Sequence, residues 1–178
     1  MKISIDEIPQ TPKEIFFSES VEELNKIYSQ SNNREFGFPA SLEVELRYSR
    51  MAADLFFDGR VTGELSGVCG RCVEEYRFQL DHRFDLVLIP DPAKAGRKAG
   101  ALHRDDLGLS TYSGDEIDLT PLIVEQVILA LPTQPLCSEE CRGLCSSCGV
   151  NLNRESCACQ SPSGDSRLAV LKTLKVGH

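Results

Sequence analysis

Tryptophan is absent from the 178 residues, and histidine occurs only three times, at His82, His103 and His178. The signatures of common catalytic machinery are missing too. There is no HExxH pair, no phosphate-cradling P-loop, no GxGxxG turn and no nucleophile elbow. His82 stands on the apolar parity of a strand-like run and reads as a core histidine; His103 falls in a basic loop and His178 is terminal. Asp105-Asp106 and Asp115-Glu116 read as solvated loop charge rather than a paired acid and base. An enzyme is therefore not expected, nor a small-molecule substrate. No apolar run approaches the ~20 residues that span a bilayer. The start, Met1-Lys2-Ile3-Ser4-Ile5-Asp6-Glu7, has acids where a signal peptide would be apolar. A cytoplasmic protein without a membrane partner is the expectation, and there thiols stay reduced, which argues against a disulfide scaffold.

Positive charge is also scarce. The 19 Lys and Arg stand against 27 Asp and Glu, a net charge of −8, which makes the chain as a whole a poor polyelectrolyte for nucleic acid. One basic stretch, with Lys94, Arg97, Lys98 and Arg104, has no aromatic side chain interleaved for base stacking and reads as a solvated loop. The C-terminal tail is the least unfavourable part for RNA, with Arg142, Arg154, Arg167, Lys172 and Lys175 against Glu139, Glu140, Glu155 and Asp165.

What the chain does have is apolar patterning, with 41% hydrophobic residues, and cysteine, eight in all. Leu42, Val44, Leu46 and Tyr48 alternate with polar neighbours, the period of a half-buried strand. Val61, Gly63, Leu65 and Gly67 continue that period up to Cys69. After Cys72, Tyr76, Phe78, Leu80, His82, Phe84, Leu86 and Leu88 share one parity. The Cys69–Cys72 turn should therefore join two antiparallel strands. Helical spacing marks Ser20 to Gln30, with Ser20 and Glu23 placed for a capping box. Leu119 to Leu131 reads as a helix with Thr120 as N-cap, Pro121 at its first position and Pro132 ending it. Being apolar nearly all round, it should be buried against the sheet. A last helix is expected over Ser166 to Val176 behind Asp165.

The cysteines run Cys69-x2-Cys72, then Cys137-x3-Cys141-x3-Cys145-x2-Cys148-x8-Cys157-x-Cys159. A CxxC turn offers two thiolates from one tight bend, and a zinc ion takes four in a tetrahedron. Eight thiols suit two Zn2+ sites, or one. In one grouping Cys145, Cys148, Cys157 and Cys159 close a local site while Cys69 and Cys72 join Cys137 and Cys141. In another, Cys137 and Cys141 go with Cys145 and Cys148, leaving a looser second site. Isolated cysteines are often simply buried. Six between Cys137 and Cys159 among Gly, Ser and Asn are too polar a setting for that, and a metal would supply the stability that a missing core cannot. A second reading makes Cys69-Gly70-Arg71-Cys72 a thiol redox or metal-handling pair, although it lies between strands and no Trp precedes it.

Taken together, Gly67-Val68-Cys69-Gly70-Arg71-Cys72, Ile117-Asp118-Leu119 through Glu125 to Leu131-Pro132, Pro135-Leu136-Cys137, Cys141-Arg142-Gly143-Leu144-Cys145-Ser146-Ser147-Cys148-Gly149-Val150-Asn151-Leu152-Asn153, Cys157-Ala158-Cys159 and Asp165-Ser166-Arg167-Leu168-Ala169 resemble the large ribosomal RNA subunit accumulation protein family, YceD-like. The resemblance covers roughly residues 40 to 176, and Ser146 stands where that family commonly has proline. It implies a role in synthesis, processing or accumulation of 23S rRNA, with no assigned catalytic activity, and it supports treating all eight cysteines as one design.

The expected fold is α+β: an antiparallel sheet packed by a buried helix, with a Cys-rich zinc-stabilised C-terminal module. Its expected parts are an N-terminal strand/helix segment (1–40), a β core with the helix (41–132) and a zinc-binding module with a final helix (133–178), one compact domain overall. The expected function is a non-enzymatic ribosome-biogenesis factor whose partners are large-subunit rRNA precursor or basic ribosomal proteins. A generic zinc-ribbon adaptor is a third reading.

Overall fold

A computed structural model describes residues 1–30, 35–38, 40–91 and 109–159. Its framework is the meander that the alternation predicts. Strands β1 (Lys2–Ser4), β2 (Lys13–Glu19), β3 (Phe36–Gly37), β4 (Leu42–Met51), β5 (Asp54–Val68), β6 (Glu75–Pro90), β7 (Leu109–Tyr112) and β8 (Glu116–Asp118) are joined by helices α1 (Glu22–Gln30) and α2 (Leu119–Ala130), with a 3-10 turn at Ile5–Glu7. Six strands form one sheet in the order β2-β4-β5-β6-β7, with β3 paired to β5 beyond the end of β4. The long ladder between β5 and β6 runs antiparallel from Leu55↔Leu88 to Val68↔Glu75. β7 joins β6 in parallel, and β1 with β8 makes a separate two-stranded ribbon. The architecture is α+β with a mostly antiparallel sheet, as expected.

One sheet face is buried and the other meets water, as an antiparallel sheet permits. Leu42, Val44, Leu46 and Tyr48 of β4, Leu55, Phe57, Val61 and Leu65 of β5, and Leu80, Phe84 and Leu88 of β6 share one core with Ile3, Ile8 and Leu24 from the N-terminal segment and Leu119, Ile123, Val124 and Val127 of α2. Glycine serves this face at Gly59, whose cross-strand partner is Phe84; a Cβ there would overlap the Phe84 ring. The missing side chain is the space the ring fills.

Three expectations are corrected. Thr120 does not cap α2. Asp118 does, its carboxylate accepting from the Thr120 N–H at 3.1 Å. The Thr120 hydroxyl instead donates to the buried Glu19 carboxylate at 2.9 Å. Nor is α2 buried all round: Leu129 is 68% exposed and Ile128 37%. A helix lying on one side of a sheet has only one face to cover. His82 is half-buried and stacks on Phe84 with ring centroids 6.4 Å apart, so it is a strand-face residue rather than a core one. α1 begins two residues after Ser20, whose hydroxyl accepts from the Glu22 N–H at 3.3 Å. The basic loop with Lys94, Arg97, Lys98 and Arg104 and the helix expected at Ser166 to Val176 lie outside the described residues. Among the described residues no helix is long and apolar enough to cross a membrane.

Candidate metal centres

The β5–β6 ladder stops where the first CxxC begins. Cys69 is fully buried and Cys72 nearly so, at 0% and 3% exposure. Here the backbone folds into a compact knuckle. The Cys69 N–H donates to Glu74 O (2.9 Å), the Val73 N–H returns to Cys69 O (2.9 Å), and the Arg71 N–H points at Cys69 Sγ (3.4 Å). The second CxxC repeats this pattern. The Cys145 N–H donates to Val150 O (2.8 Å), the Gly149 N–H to Cys145 O (2.9 Å), and the Ser147 N–H to Cys145 Sγ (3.4 Å). The residue four beyond the first cysteine has a positive φ in both knuckles, Val73 at 60° and Gly149 at 77°.

That equivalence isolates a strained residue. Glycine reaches positive φ freely, whereas a β-branched side chain there clashes with its own backbone. Val73 is 65% exposed, so its side chain contributes little burial in return. Val73→Gly is expected to raise stability by roughly 0.5–1 kcal/mol, the strain relieved outweighing the added freedom of the unfolded chain. A thermal melt reads this directly, and a lower midpoint in the variant would contradict it.

The structure brings the eight cysteines into two groups. Cys69, Cys72, Cys137 and Cys141 have all their sulfurs within 4.8 Å of one another, and so do Cys145, Cys148, Cys157 and Cys159. This is the first of the two groupings considered from spacing. In the first cluster Cys69 Sγ lies 3.7 Å from Cys141 Sγ, and Cys72 Sγ 3.7 Å from Cys137 Sγ. A disulfide needs about 2.05 Å. Four sulfurs held about 2.3 Å from a central zinc ion at tetrahedral angles stand about 3.8 Å apart. The spacing therefore fits a four-thiolate metal site, and both clusters could hold an ion.

The two centres sit in different surroundings. The first joins the strand turn to the segment that follows α2. The Gly70 N–H donates to Pro135 O at 2.8 Å, and Arg71 Nη1 donates to the carbonyls of Glu139 (3.1 Å) and Cys141 (3.0 Å). Tyr76 and Leu136 pack on its cysteines. The second is more open, with Cys148 and Cys159 exposed. It attaches to the first through Leu144 N–H to Arg71 O (3.1 Å), Leu152 N–H to Gly143 O (2.9 Å) and an Arg154–Glu74 ion pair at 2.8 Å. Gly143 has φ 72°, and a Cβ there would come within 2.9 Å of Arg71 O, so the junction requires glycine. Asn153 Oδ1 accepts from the Arg142 N–H (2.7 Å), while Asn153 Nδ2 donates to Cys141 Sγ (3.2 Å). Spacing alone assigned no role to Arg71, Gly143 or Asn153. Their partners lie in other segments or in the backbone, where no motif records them.

Thiol acidity follows these contacts. Burial pushes the Cys69 thiol up, but amide N–H groups of Cys137, Cys72 and Arg71 outweigh it and bring the thiol down to about 6. The N–H groups of Cys148 and Ser147 likewise bring Cys145 down to about 6, and the Asn153 amide lowers Cys141. Cys137, facing Cys141, is raised to about 12, and Cys159, facing Cys148, is raised to about 12. In the first cluster two thiols, Cys69 and Cys141, are thus lowered and two, Cys72 and Cys137, raised.

A family model described as large ribosomal RNA subunit accumulation protein YceD matches residues 57–175. The uncharacterized protein Rv2926c of Mycobacterium tuberculosis is 31% identical over 117 residues, covering 65% of this chain and 54% of that protein. A maize protein named large ribosomal RNA subunit accumulation protein YCED homolog 1, chloroplastic, is 28% identical over 140 residues, covering 66% of this chain and 48% of its own. YlbN of Bacillus subtilis, also uncharacterized, is 27% identical over 180 residues, 98% of this chain and 96% of its own. The chain thus spans about half the length of the mycobacterial and maize relatives. No solved structure matches.

Proposed function

The chain belongs to the large ribosomal RNA subunit accumulation protein family, YceD, and on that premise we propose that it is a non-enzymatic factor supporting the synthesis, processing or accumulation of 23S rRNA in the cytoplasm. The observation that carries this reading is the reach of the match: residues 57–175 include all but the first three residues of the β5–β6 hairpin, α2 and all eight cysteines. The family resemblance and the two clusters thus fall on the same residues.

In this reading each cluster holds one structural Zn2+, with Cys69, Cys72, Cys137 and Cys141 on the first and Cys145, Cys148, Cys157 and Cys159 on the second. The ions fix the end of the hairpin and order a segment with little apolar core of its own. The net charge of −8 favours a basic protein partner over broad RNA binding, so the contact is with basic ribosomal proteins of the large subunit or with rRNA precursor already carrying them. The competing thiol-redox reading requires an accessible thiolate at the first CxxC. Burial of Cys69 and Cys72 weighs against it.

Depletion of the protein from its own cell, followed by quantitation of rRNA, tests the reading. The ratio of 23S to 16S rRNA should fall, and pull-down after in-cell crosslinking should enrich large-subunit proteins or 23S precursor. An unchanged ratio, with thiol-exchange partners trapped at Cys69 or Cys72 instead, would transfer the protein to the redox class.

A further inference from the structure

We propose that the two four-cysteine sites load with metal cooperatively, and that Asn153 is the positioning residue carrying the coupling. The proposal rests on the metal-binding reading of the clusters and concerns how the two sites communicate.

Asn153 belongs to the segment that closes the second site, lying between Cys148 and Cys157, yet its side chain serves the first. Its Nδ2 donates to Cys141 Sγ at 3.2 Å and its Oδ1 accepts from the Arg142 N–H at 2.7 Å. The residue is itself placed by a local turn, its own N–H donating to Asn151 Oδ1 at 2.9 Å. Around it, the segment is held by bonds local to the knuckle and its turn: the Leu144–Asn151 bridge, Cys145 N–H to Val150 O, and the Arg154 and Glu155 N–H groups to Asn151 O. Its ties to the rest of the chain are Leu152 N–H to Gly143 O and the exposed Arg154–Glu74 pair, and exposed ion pairs contribute little. Drawing Cys145, Cys148, Cys157 and Cys159 together therefore sets how firmly Asn153 is placed.

An ion in the second site does this. It fixes both ends of the segment and sets Asn153 at the sulfur of Cys141. A hydrogen bond to a thiolate ligand stabilises its anionic form and its orientation, the service that outer partners give to metal ligands. The first site then binds its ion more tightly when the second is filled. By linkage, filling the first favours the second by the same factor. Gly143 lies on the same path, its carbonyl accepting from the Leu152 N–H and its own N–H facing the Cys141 sulfur, but it precedes the second site in the chain; Asn153, from within the segment that closes that site, is the residue whose side chain reaches the sulfur.

The test uses the full chain, freed of metal under reductant, titrated with Co2+ and then with Zn2+ against a chromophoric chelator. The thiolate-to-cobalt absorption reports site occupancy separately from fold. Removing the second site with Cys157→Ser and Cys159→Ser should leave one ion per chain, bound about tenfold more weakly at the first site than in the wild type. Asn153→Asp is the decisive variant. It keeps the acceptor for the Arg142 N–H but replaces the donor to Cys141 with an anion. It should bind two ions per chain with the same tenfold loss at the first site. Because the new carboxylate also stands beside a thiolate, the coupling is read by adding Asn153→Asp to the double serine variant. There it should cost first-site affinity less than twofold more. A further tenfold loss there, or wild-type affinity in the single variant, overturns the proposal. First-site affinity within twofold of wild type in the double serine variant overturns it as well. A wild-type chain that takes up no ion would instead remove the metal reading itself.

Discussion

Serine in place of Cys69 is expected to cost the chain one of two metal ions and on the order of 3–5 kcal/mol of stability, the largest effect of any single substitution considered. The size follows from position. Cys69 is fully buried at the end of the β5–β6 ladder, and its sulfur faces Cys141 across 3.7 Å. Without an ion, a cluster of thiols of unequal acidity, three of them buried and Cys137 exposed, is left between the sheet turn and residues 135–141. Burying polar groups without a full set of partners destabilises. The contrast is Cys157→Ser in the more open second centre. It should also lose one ion, yet lower the melting of the sheet by no more than about 1.4 kcal/mol, the equivalent of tenfold weaker binding at the first site. Metal content per chain and far-UV melting of the two variants, measured side by side, check this. Equal melting of Cys69→Ser and wild type at reduced metal content would refute the idea that the first ion staples the fold.

The second large effect is expected on acidification. Ordinary cysteine titrates near 9.0, whereas Cys69 and Cys145 in the metal-free fold are brought down to about 6. Between those values the unfolded chain binds protons that the folded chain does not, so these two thiols make stability rise with pH across that window. Their contribution is complete above 9 and is lost as pH falls through 6. Cys137 and Cys159, raised to about 12, act in the opposite sense. Their contribution is complete below 9 and is lost as pH rises through 12. A bound ion must displace the protons these two retain at neutral pH. Metal loading at pH 7 should therefore release protons, though fewer than four per ion, since Cys69 and Cys145 are already thiolates. Below pH 6 these also compete, and metal retention should fall steeply. Zinc release followed with a chromophoric chelator between pH 8 and pH 4 gives the curve. Metal content flat down to pH 4 would contradict it.

Much of this was legible in the residues. The alternation is clear in Leu42–Tyr48 of β4, Val61–Gly67 of β5 and Tyr76–Leu86 of β6 because each strand has one buried face, and proline brackets α2 at Pro121 and Pro132. Cysteine spacing narrowed the clusters to two groupings, since CxxC turns supply ligands in pairs. The rest depended on contacts that no local pattern encodes. β2 is hard to see because Phe16 and Phe17 break the alternation: Phe16 is 72% exposed and Phe17 half-buried. β1 and β8 are three residues each, and their register, Ile3↔Ile117, exists only in the folded chain. Asp118 and Thr120 are both good caps, and the partner Glu19 that engages Thr120 lies far back in the chain. The exposed side of α2 escaped because Ile128 and Leu129 make the helix uniformly apolar, erasing the stripe that shows which face points inward.

The clamp at Cys69 and Cys72 also removes a weak point of the β5–β6 hairpin. A plain hairpin frays from its open end and can also loosen at its turn, where the connecting residues are ordinarily the most mobile. Here the turn is anchored to Pro135, Glu139 and Cys141, so loosening at the turn is suppressed. The open end is covered as well: β4 pairs with β5 beside Leu55, β7 pairs with β6 beside Leu88, and both side chains are buried. A partner gripping the cysteine-rich end would meet a turn already pinned in place.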